Sequence, residues 1–107
     1  MGVSLQVSVG HDADPAQVEH ILLETARAAA GEIPGLLADP APSVSFDPGV
    51  GDFAIGFSVN YQVAEFAAQY AVRNELRRRI FLRFREERIS IPYPTRTVYL
   101  HEPPPAG

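Results

Sequence analysis

The sequence contains no cysteine, no lysine and no long run of apolar residues. The absence of cysteine excludes a disulfide framework and a thiolate metal site, so the hydrophobic core alone must hold the fold. No stretch approaches the roughly 18 apolar residues that a membrane-spanning helix needs, and the N-terminus lacks the basic and apolar segments of a secretion signal. The 107 residues are therefore expected to form one soluble, unexported unit without direct membrane contact.

Basic residues are missing from most of the chain, which makes the charge distribution uneven. Residues 1–72 carry nine acidic side chains and one arginine, a net charge of −8. Residues 73–107 carry four acidic side chains and eight arginines, a net charge of +4, and seven of these arginines fall within residues 73–88. The chain is thus electrically bipolar, although its net charge is only −4.

Four segments alternate apolar and polar residues, which is the pattern of strands with one buried face. Residues 3–9 form the first segment, Val44 and Phe46 mark a short second one, and residues 53–62 alternate without exception. A brief fourth strand is predicted at Ile89 and Ile91. The turn between the second and third strands is assigned to Pro48, Gly49, Val50, Gly51 and Asp52.

Two segments place apolar residues at helical spacing. The first begins at Asp14, a candidate N-cap that is followed by a first-turn proline, and Gly31 and Pro34 end it. The second covers about residues 64–87, where an apolar residue recurs every four positions and further aromatic residues are expected to widen the apolar stripe. The recurring residues are Val72, Leu76, Ile80 and Phe84, and the additional aromatics are Phe66, Tyr70 and Phe81.

The order strand, helix, strand, strand, helix, strand predicts an α+β fold. It is the order of a ferredoxin-like βαββαβ sandwich, in which an antiparallel sheet carries both helices on one face. A short C-terminal strand is predicted to follow. The open face of the sheet would consist of Ser, Gln, Ala, Gly and Asn, and it would meet water or another subunit.

No group of residues forms a plausible catalytic, cofactor or metal site. His11, His20 and His101 lie in a turn, on a helix and in the tail, without metal-ligand spacing. Asp12 and Asp14 are better explained by capping of the first helix. The Gly-Val-Gly sequence at residues 49–51 lacks the lysine and the following helix of a phosphate-binding loop. The sequence therefore predicts a protein that is not an enzyme and binds no cofactor.

The arginine-rich helix raises the alternative of a soluble ferredoxin-like module that binds RNA or a small ligand. RNA-recognition domains stack bases on aromatic residues of the open sheet face, whereas Phe53 and Phe57 share the core-facing parity of Ile55. The acidic part of the chain would also repel a polyanion, so nucleic acid is not expected as a partner. The arginines would either pair with glutamates on a solvated helix face, at Glu75, Glu86 and Glu87, or serve a subunit contact or a water-filled space.

A Pro-aromatic-Pro clasp, Pro92-Tyr93-Pro94, follows the predicted fourth strand. Each proline fixes φ near −65° and pushes the preceding residue out of the α region, so the chain must be extended here. A strand-like segment comes next, at Thr97, Val98, Tyr99 and Leu100. Because this strand follows the last core strand, it is expected to pair with another copy of the chain.

Taken in order, these segments resemble the C-terminal cytosolic domain of the small-conductance mechanosensitive channel (MscS) family. The family pattern D-P-x-P-x-V matches residues 39–44, and its glycine turn and long alternating strand match Gly51 and residues 53–61. Phe84 matches the end of the long helix, and I-x-I-P-[FY]-P-[QT] matches residues 89–95. Thr95 departs from the glutamine that is common in the family.

The resemblance implies a homoheptameric channel that opens under membrane tension and releases solutes during osmotic downshock. This chain would be either an excised part of it, which we favour, or a free-standing relative of the domain. As an excised part it would lie on the cytoplasmic side of the membrane, and the transmembrane helices and middle β-domain would belong to the same polypeptide. Residues 1–94 would form the α/β domain, residues 95–102 a strand of a shared β-barrel, and residues 103–107 a disordered tail. The cage would filter ions through the charges of Arg77, Arg78, Arg79, Arg83, Arg85 and Arg88.

Overall fold

The computed structural model describes residues 1–51 and 54–91, which form a three-stranded antiparallel sheet and two long helices. The elements are β1 (Gly2–Val9), α1 (Pro15–Ala29), β2 (Ser43–Val50), β3 (Ile55–Gln62) and α2 (Gln69–Glu86), with a 3-10 turn at Phe66–Ala68. The sheet order β1-β3-β2 places β3 between the two strands that α1 connects, as in a split βαβ unit. The predicted α+β class is confirmed, and the arrangement is compatible with a ferredoxin-like sandwich.

The central strand β3 organises the core. It pairs with β1 along its full length, from Gly2 opposite Gln62 to Val9 opposite Ile55. Side chains alternate between the two faces of a strand, so the core-facing residues of β3 share one parity. Phe57 and Val59 are fully buried, as are Leu5 and Val9 on β1. This face supports both helices, because α1 packs over β2 and β3 while α2 packs over β1.

Each helix buries one face against the sheet. At the start of α1, Asp14 Oδ1 accepts a hydrogen bond from the Ala16 N–H at 3.1 Å, and Pro15 occupies the first turn, so the predicted cap is confirmed. The buried residues of α1 are Val18, Ile21, Leu22, Ala26 and Ala29, and those of α2 include Val72, Leu76, Ile80 and Phe84. Burial of each of the larger aliphatic or aromatic side chains contributes roughly 1.5–3 kcal/mol to folding.

The apolar stripe of α2 is narrower than the sequence predicts. Phe66, Tyr70 and Phe81 are exposed rather than buried, and α2 itself begins only at Gln69. The physical reason is geometric, because Tyr70 and Phe81 lie about 100° or more around the helix from the centre of the buried stripe. These aromatic side chains therefore belong to the surface.

The second strand is longer than predicted and contains a bulge. Its pairing with β3 shifts register between Ser45 and Gly49, and Gly49 adopts φ +81°, which favours glycine. Pro48, Gly49 and Val50 are thus part of β2, and their assignment to the turn was wrong. The bulge also brings the Asp47 carbonyl over the sheet, where it accepts a hydrogen bond from Ser58 Oγ at 3.0 Å and buries Ser58 on the face predicted to be open.

The end of α2 is closed by a Schellman motif. The Arg88 N–H donates to the Arg85 carbonyl at 3.2 Å, and the Ile89 N–H donates to the Phe84 carbonyl at 2.9 Å. Arg88 itself has φ +58°, the left-handed conformation that this motif requires and that L-residues disfavour. The motif turns the chain back toward the sheet.

The predicted fourth strand does not form a strand within the described residues. The Ser90 carbonyl accepts one hydrogen bond from the Gly10 N–H at 3.0 Å, and Ile89 and Ile91 pack half-buried against the core. This segment therefore lies beside the end of β1 but does not form a ladder with it. The clasp, the C-terminal strand and the tail all fall outside the described residues, so the domain bounds stay predictions.

Candidate functional surfaces

Three of the seven clustered arginines are engaged in ion pairs with glutamates. Arg79 contacts two of them, Glu75 through Nε at 3.0 Å and Glu32 of the loop after α1 through Nη1 at 2.6 Å. Arg78 donates to Glu75 at 2.7 Å. Glu75 thus binds two arginines on its own helix, and Arg79 joins that helix to the end of α1.

Arg83 forms the second link between the helices. Its Nη2 lies 2.7 Å from Glu24 of α1, and its Nε lies 3.1 Å from Glu87 at the end of α2. The pairings with Glu75 and Glu87 agree with the predicted solvated helix face. The sequence analysis missed Glu24 and Glu32, because nothing in the local spacing shows which side chains of α1 face α2.

These ion pairs keep the network fully charged near neutral pH. Hydrogen bonds from Arg78 and Arg79 lower the pKa of Glu75 to about 2. The hydrogen bond from Arg83 likewise holds the pKa of Glu24 below its ordinary value. The guanidiniums of Arg78, Arg79 and Arg83 have raised pKa values for the same reason. The network therefore joins the helices and has no group suited to proton transfer near neutral pH.

Four clustered arginines form no ion pair with the described residues: Arg73 of α2 is half-buried, whereas Arg77 and Arg85 of α2 and Arg88 just after it lie on the side that faces away from α1. Arg77, Arg85 and Arg88 are exposed, and no carboxylate among residues 1–51 and 54–91 lies within ion-pair distance of them. Tyr70 and Phe81 share this flank and are 59% and 44% exposed. A shallow groove of about 360 Å³ runs between Phe81, Arg85 and the segment 89–91. We call Tyr70, Arg77, Phe81, Arg85 and Arg88 the basic edge.

The opposite side of the molecule has the opposite charge. It is formed by β2, the outermost strand on that side, and by the flank of α1 that packs over β2. Arg27 is also on this side, where its Nε donates to the Pro42 carbonyl at 3.4 Å. Phe46 is 48% exposed here and Val50 is 72% exposed. We call Glu19, Asp47, Phe46 and Val50 the acidic edge.

The histidines and the paired aspartates do not converge on a site. His11 Nε2 lies 2.8 Å from the Gly51 carbonyl, His20 is exposed on α1, and His101 is outside the described residues. Asp14 caps α1, whereas Asp12 only accepts a long hydrogen bond from Ser90 Oγ at 3.4 Å. Among the residues that the structure describes, no three His, Cys, Asp or Glu side chains are grouped to hold a metal ion.

In the strands that the structure describes, the outer face of the sheet offers no stacking surface for bases. Ser4 Oγ donates to Asn60 Oδ1 at 2.8 Å, and Asn60 Nδ2 donates to Ser45 Oγ at 3.1 Å, which forms a polar row across three strands. Phe57 is fully buried on the other face. Within the described parts of β1 and β3, the residues of the outer face are small or polar and not aromatic. The RNA-binding alternative therefore lacks its usual platform.

Comparison with known proteins identifies the domain. Within the described residues, no helix combines the length and the apolar character needed to cross a membrane. The search of curated proteins gave no match. A protein-family model described as "Mechanosensitive ion channel MscS, C-terminal" matches residues 3–91, which include nearly all of the described strands and helices. This is a family of channel domains and not of enzymes, and the chain belongs to it as the C-terminal, cytosolic domain of an MscS-type mechanosensitive ion channel.

Proposed function

We propose that this domain builds part of the cytosolic cage of a tension-gated channel and that its exposed arginines bias which ions enter the cage. The proposal rests mainly on the family match over residues 3–91. In the intact channel, the domain would follow the transmembrane helices and the middle β-domain of the same polypeptide. Seven copies would surround one water-filled space and release solutes during osmotic downshock.

In this proposal, the C-terminal residues join the copies of the domain to one another. The Schellman motif and the Gly10–Ser90 hydrogen bond bring the chain to the sheet at Ile91, immediately before the clasp. In this proposal, the clasp of Pro92, Tyr93 and Pro94 would then lead to the strand predicted from the sequence at Thr97, Val98, Tyr99 and Leu100. A closed barrel of such strands would remove the unpaired edge that a single strand exposes.

The proposed filter contains fewer arginines than the six that the sequence suggests. Arg78, Arg79 and Arg83 are each balanced by at least one glutamate within 3.1 Å, so their fields largely cancel beyond a short distance. Arg77, Arg85 and Arg88 have no such partner in the described part of the chain. At physiological salt, a charge acts over about 8 Å in water. Arg73 also lacks an ion pair among the described residues but is half-buried, so the three exposed arginines are the proposed filter residues.

The test is the ion preference of the intact channel that contains this domain. The triple variant Arg77→Gln, Arg85→Gln and Arg88→Gln should shift the reversal potential in a salt gradient toward greater cation preference. Arg78→Gln is the matched control, because it removes one neighbouring charge that Glu75 already balances. Equal reversal potentials for the triple variant and the unmodified channel would remove the filter role, while leaving the cage role untouched.

A further inference from the structure

One edge of the sheet is formed by β1, which pairs with β3 on one side only. The Met1 amine donates to the Val63 carbonyl at 3.2 Å, and the Val63 N–H donates back to the Met1 carbonyl at 2.9 Å. Backbone polar groups alternate in direction along a strand, so the odd-numbered residues of β1 face β3 and the even-numbered ones face outward. Among the residues that the structure describes, none accepts a hydrogen bond from the outward N–H groups of Gln6 and Ser8. These donors are open to a further extended segment.

The chain that follows α2 already meets this edge through a hydrogen bond in one direction. The Gly10 N–H, the next one in the outward-facing series, donates to the Ser90 carbonyl at 3.0 Å. An ordinary antiparallel pair of this kind would also have the return bond, from the N–H of Ser90. Instead, the Gly10 carbonyl accepts from the Ala13 N–H at 3.1 Å. The β1 side thus supplies the donor, and the segment after α2 supplies only the acceptor.

Proline suits an edge of this kind, because it lacks the N–H but keeps the carbonyl. Continued in antiparallel register, the pairing of Gly10 with Ser90 places Pro92 opposite Ser8. Pro94 then falls opposite Gln6. Residues two apart in an extended chain present their backbone groups to the same side, so both proline carbonyls would face β1. A ladder in which β1 donates every bond does not need the N–H groups that the prolines lack.

The same register gives Tyr93 a place against the second helix. Ile89 and Ile91 pack half-buried against the core, and a proline after residues 91 and 93 keeps each of them extended. Tyr93 therefore shares the core side with the two isoleucines. The segment runs back along α2, because residues 89–91 line a groove with Phe81, which lies more than a turn before the end of that helix. Two further extended residues advance about 6.6 Å, which brings Tyr93 to the ring of Phe81, 44% exposed among the described residues.

We infer that residues 92–94 occupy the free edge of β1. The two proline carbonyls accept hydrogen bonds from the outward N–H groups of this strand, and the Tyr93 ring packs on Phe81. The occupant is the continuation of the same chain, which reaches this edge at Ile91 and needs no linker. Neither a phenol nor a carbonyl balances a guanidinium, so the arginines of α2 keep their charge. The inference concerns the folded domain alone and does not depend on the proposed channel role.

Amide hydrogen exchange, followed residue by residue by NMR, tests this arrangement in the full chain. The Gln6 and Ser8 amides should be protected, and truncation after Ile91 should make them exchange about tenfold faster or more. The Leu5 and Val7 amides face β3 and should stay protected in both chains, which shows that the sheet persists.

A matched truncation and two substitutions separate the clasp from the residues after it. Truncation after Pro94 keeps the clasp and should leave the Gln6 and Ser8 amides protected. In the full chain, Tyr93→Ala should speed exchange at both amides and lower the melting temperature. Tyr93→Phe keeps the ring and should change neither. If truncation after Ile91 also exposes the odd-numbered amides of β1, the substitutions decide the question, because they leave the clasp in place.

Opposing results would assign the edge differently. Gln6 and Ser8 amides that exchange without protection in the full chain would overturn the inference, because the edge would then be empty. Loss of their protection on truncation after Pro94 would also overturn it and would assign the edge to residues 95–107. Equal effects of Tyr93→Ala and Tyr93→Phe would overturn the placement of the ring on Phe81. The reversal-potential experiment judges the channel proposal separately.

Discussion

The left-handed residue at the end of α2 allows a sharp test of the fold. Arg88 is exposed, has φ +58° and occupies the position of the Schellman motif that is usually glycine. Holding a residue other than glycine in this conformation destabilises the folded state by about 1–2 kcal/mol. Glycine removes this strain, but its greater conformational freedom in the unfolded state cancels about 0.5–1 kcal/mol of the gain. Arg88→Gly should therefore raise the free energy of unfolding by about 0.5–1 kcal/mol.

Arg88→Ala is the matched control, because it removes the same charge and side chain but keeps the backbone penalty. For a domain of this size, the glycine variant should melt about 2–8 °C above the alanine variant. Urea unfolding, followed by circular dichroism at one protein concentration, should give equal m values and a higher midpoint for glycine. Equal midpoints for glycine and alanine would refute the reasoning, since the motif would then not hold residue 88 in the left-handed region.

Three further predictions concern the core, the ion pairs and the C-terminus. Phe57→Ala should lower the free energy of unfolding in urea by about 3–5 kcal/mol, because the ring is fully buried in the central strand, and a loss below 1 kcal/mol would contradict its place in the core. The folded-state pKa of Glu75 is lowered from 4.5 to about 2, so its stabilising effect is present above pH 4.5 and lost as the pH falls toward 2. The stability difference between the unmodified chain and Glu75→Gln should accordingly shrink as the pH falls from 4.5 toward 2 and vanish below the folded-state pKa. A difference that is independent of pH would show that the ionisation of Glu75 is not its cause. Truncation after Pro94 should leave the circular dichroism spectrum and melting unchanged but weaken assembly in sedimentation, whereas unfolding would assign residues 97–100 to the sheet of the domain itself.

The strands and the helix cores could be predicted because they follow from local periodicity. The alternation along β3 correctly identified the buried face of Ile55, Phe57, Val59 and Tyr61, since the side-chain period of a strand is two. The spacing of Val72, Leu76, Ile80 and Phe84 likewise identified the buried stripe of α2. Where one face of an element is much more apolar than the other, burial follows directly from the sequence.

The surfaces could not be predicted in the same way, because they depend on which elements become neighbours. Phe81 is as apolar as a core residue, yet it lies about 120° around α2 from the centre of the buried stripe and remains exposed. The partners of Arg79 and Arg83 on and after α1 are separated from them by more than 45 positions, a distance at which spacing has no predictive value. Only the structure could therefore show which arginines have a glutamate partner and which do not. The two edges could be defined only after that distinction was made.

The polar row across the outer face of the sheet has a consequence for strand register. Asn60 uses its carbonyl oxygen toward Ser4 and its amide nitrogen toward Ser45, so a shift of either neighbouring strand by one residue would break a hydrogen bond and turn its apolar residues outward. One side chain of the central strand therefore constrains both of its neighbours. The register of the sheet is fixed from its outer, polar face as well as by the burial of its apolar face.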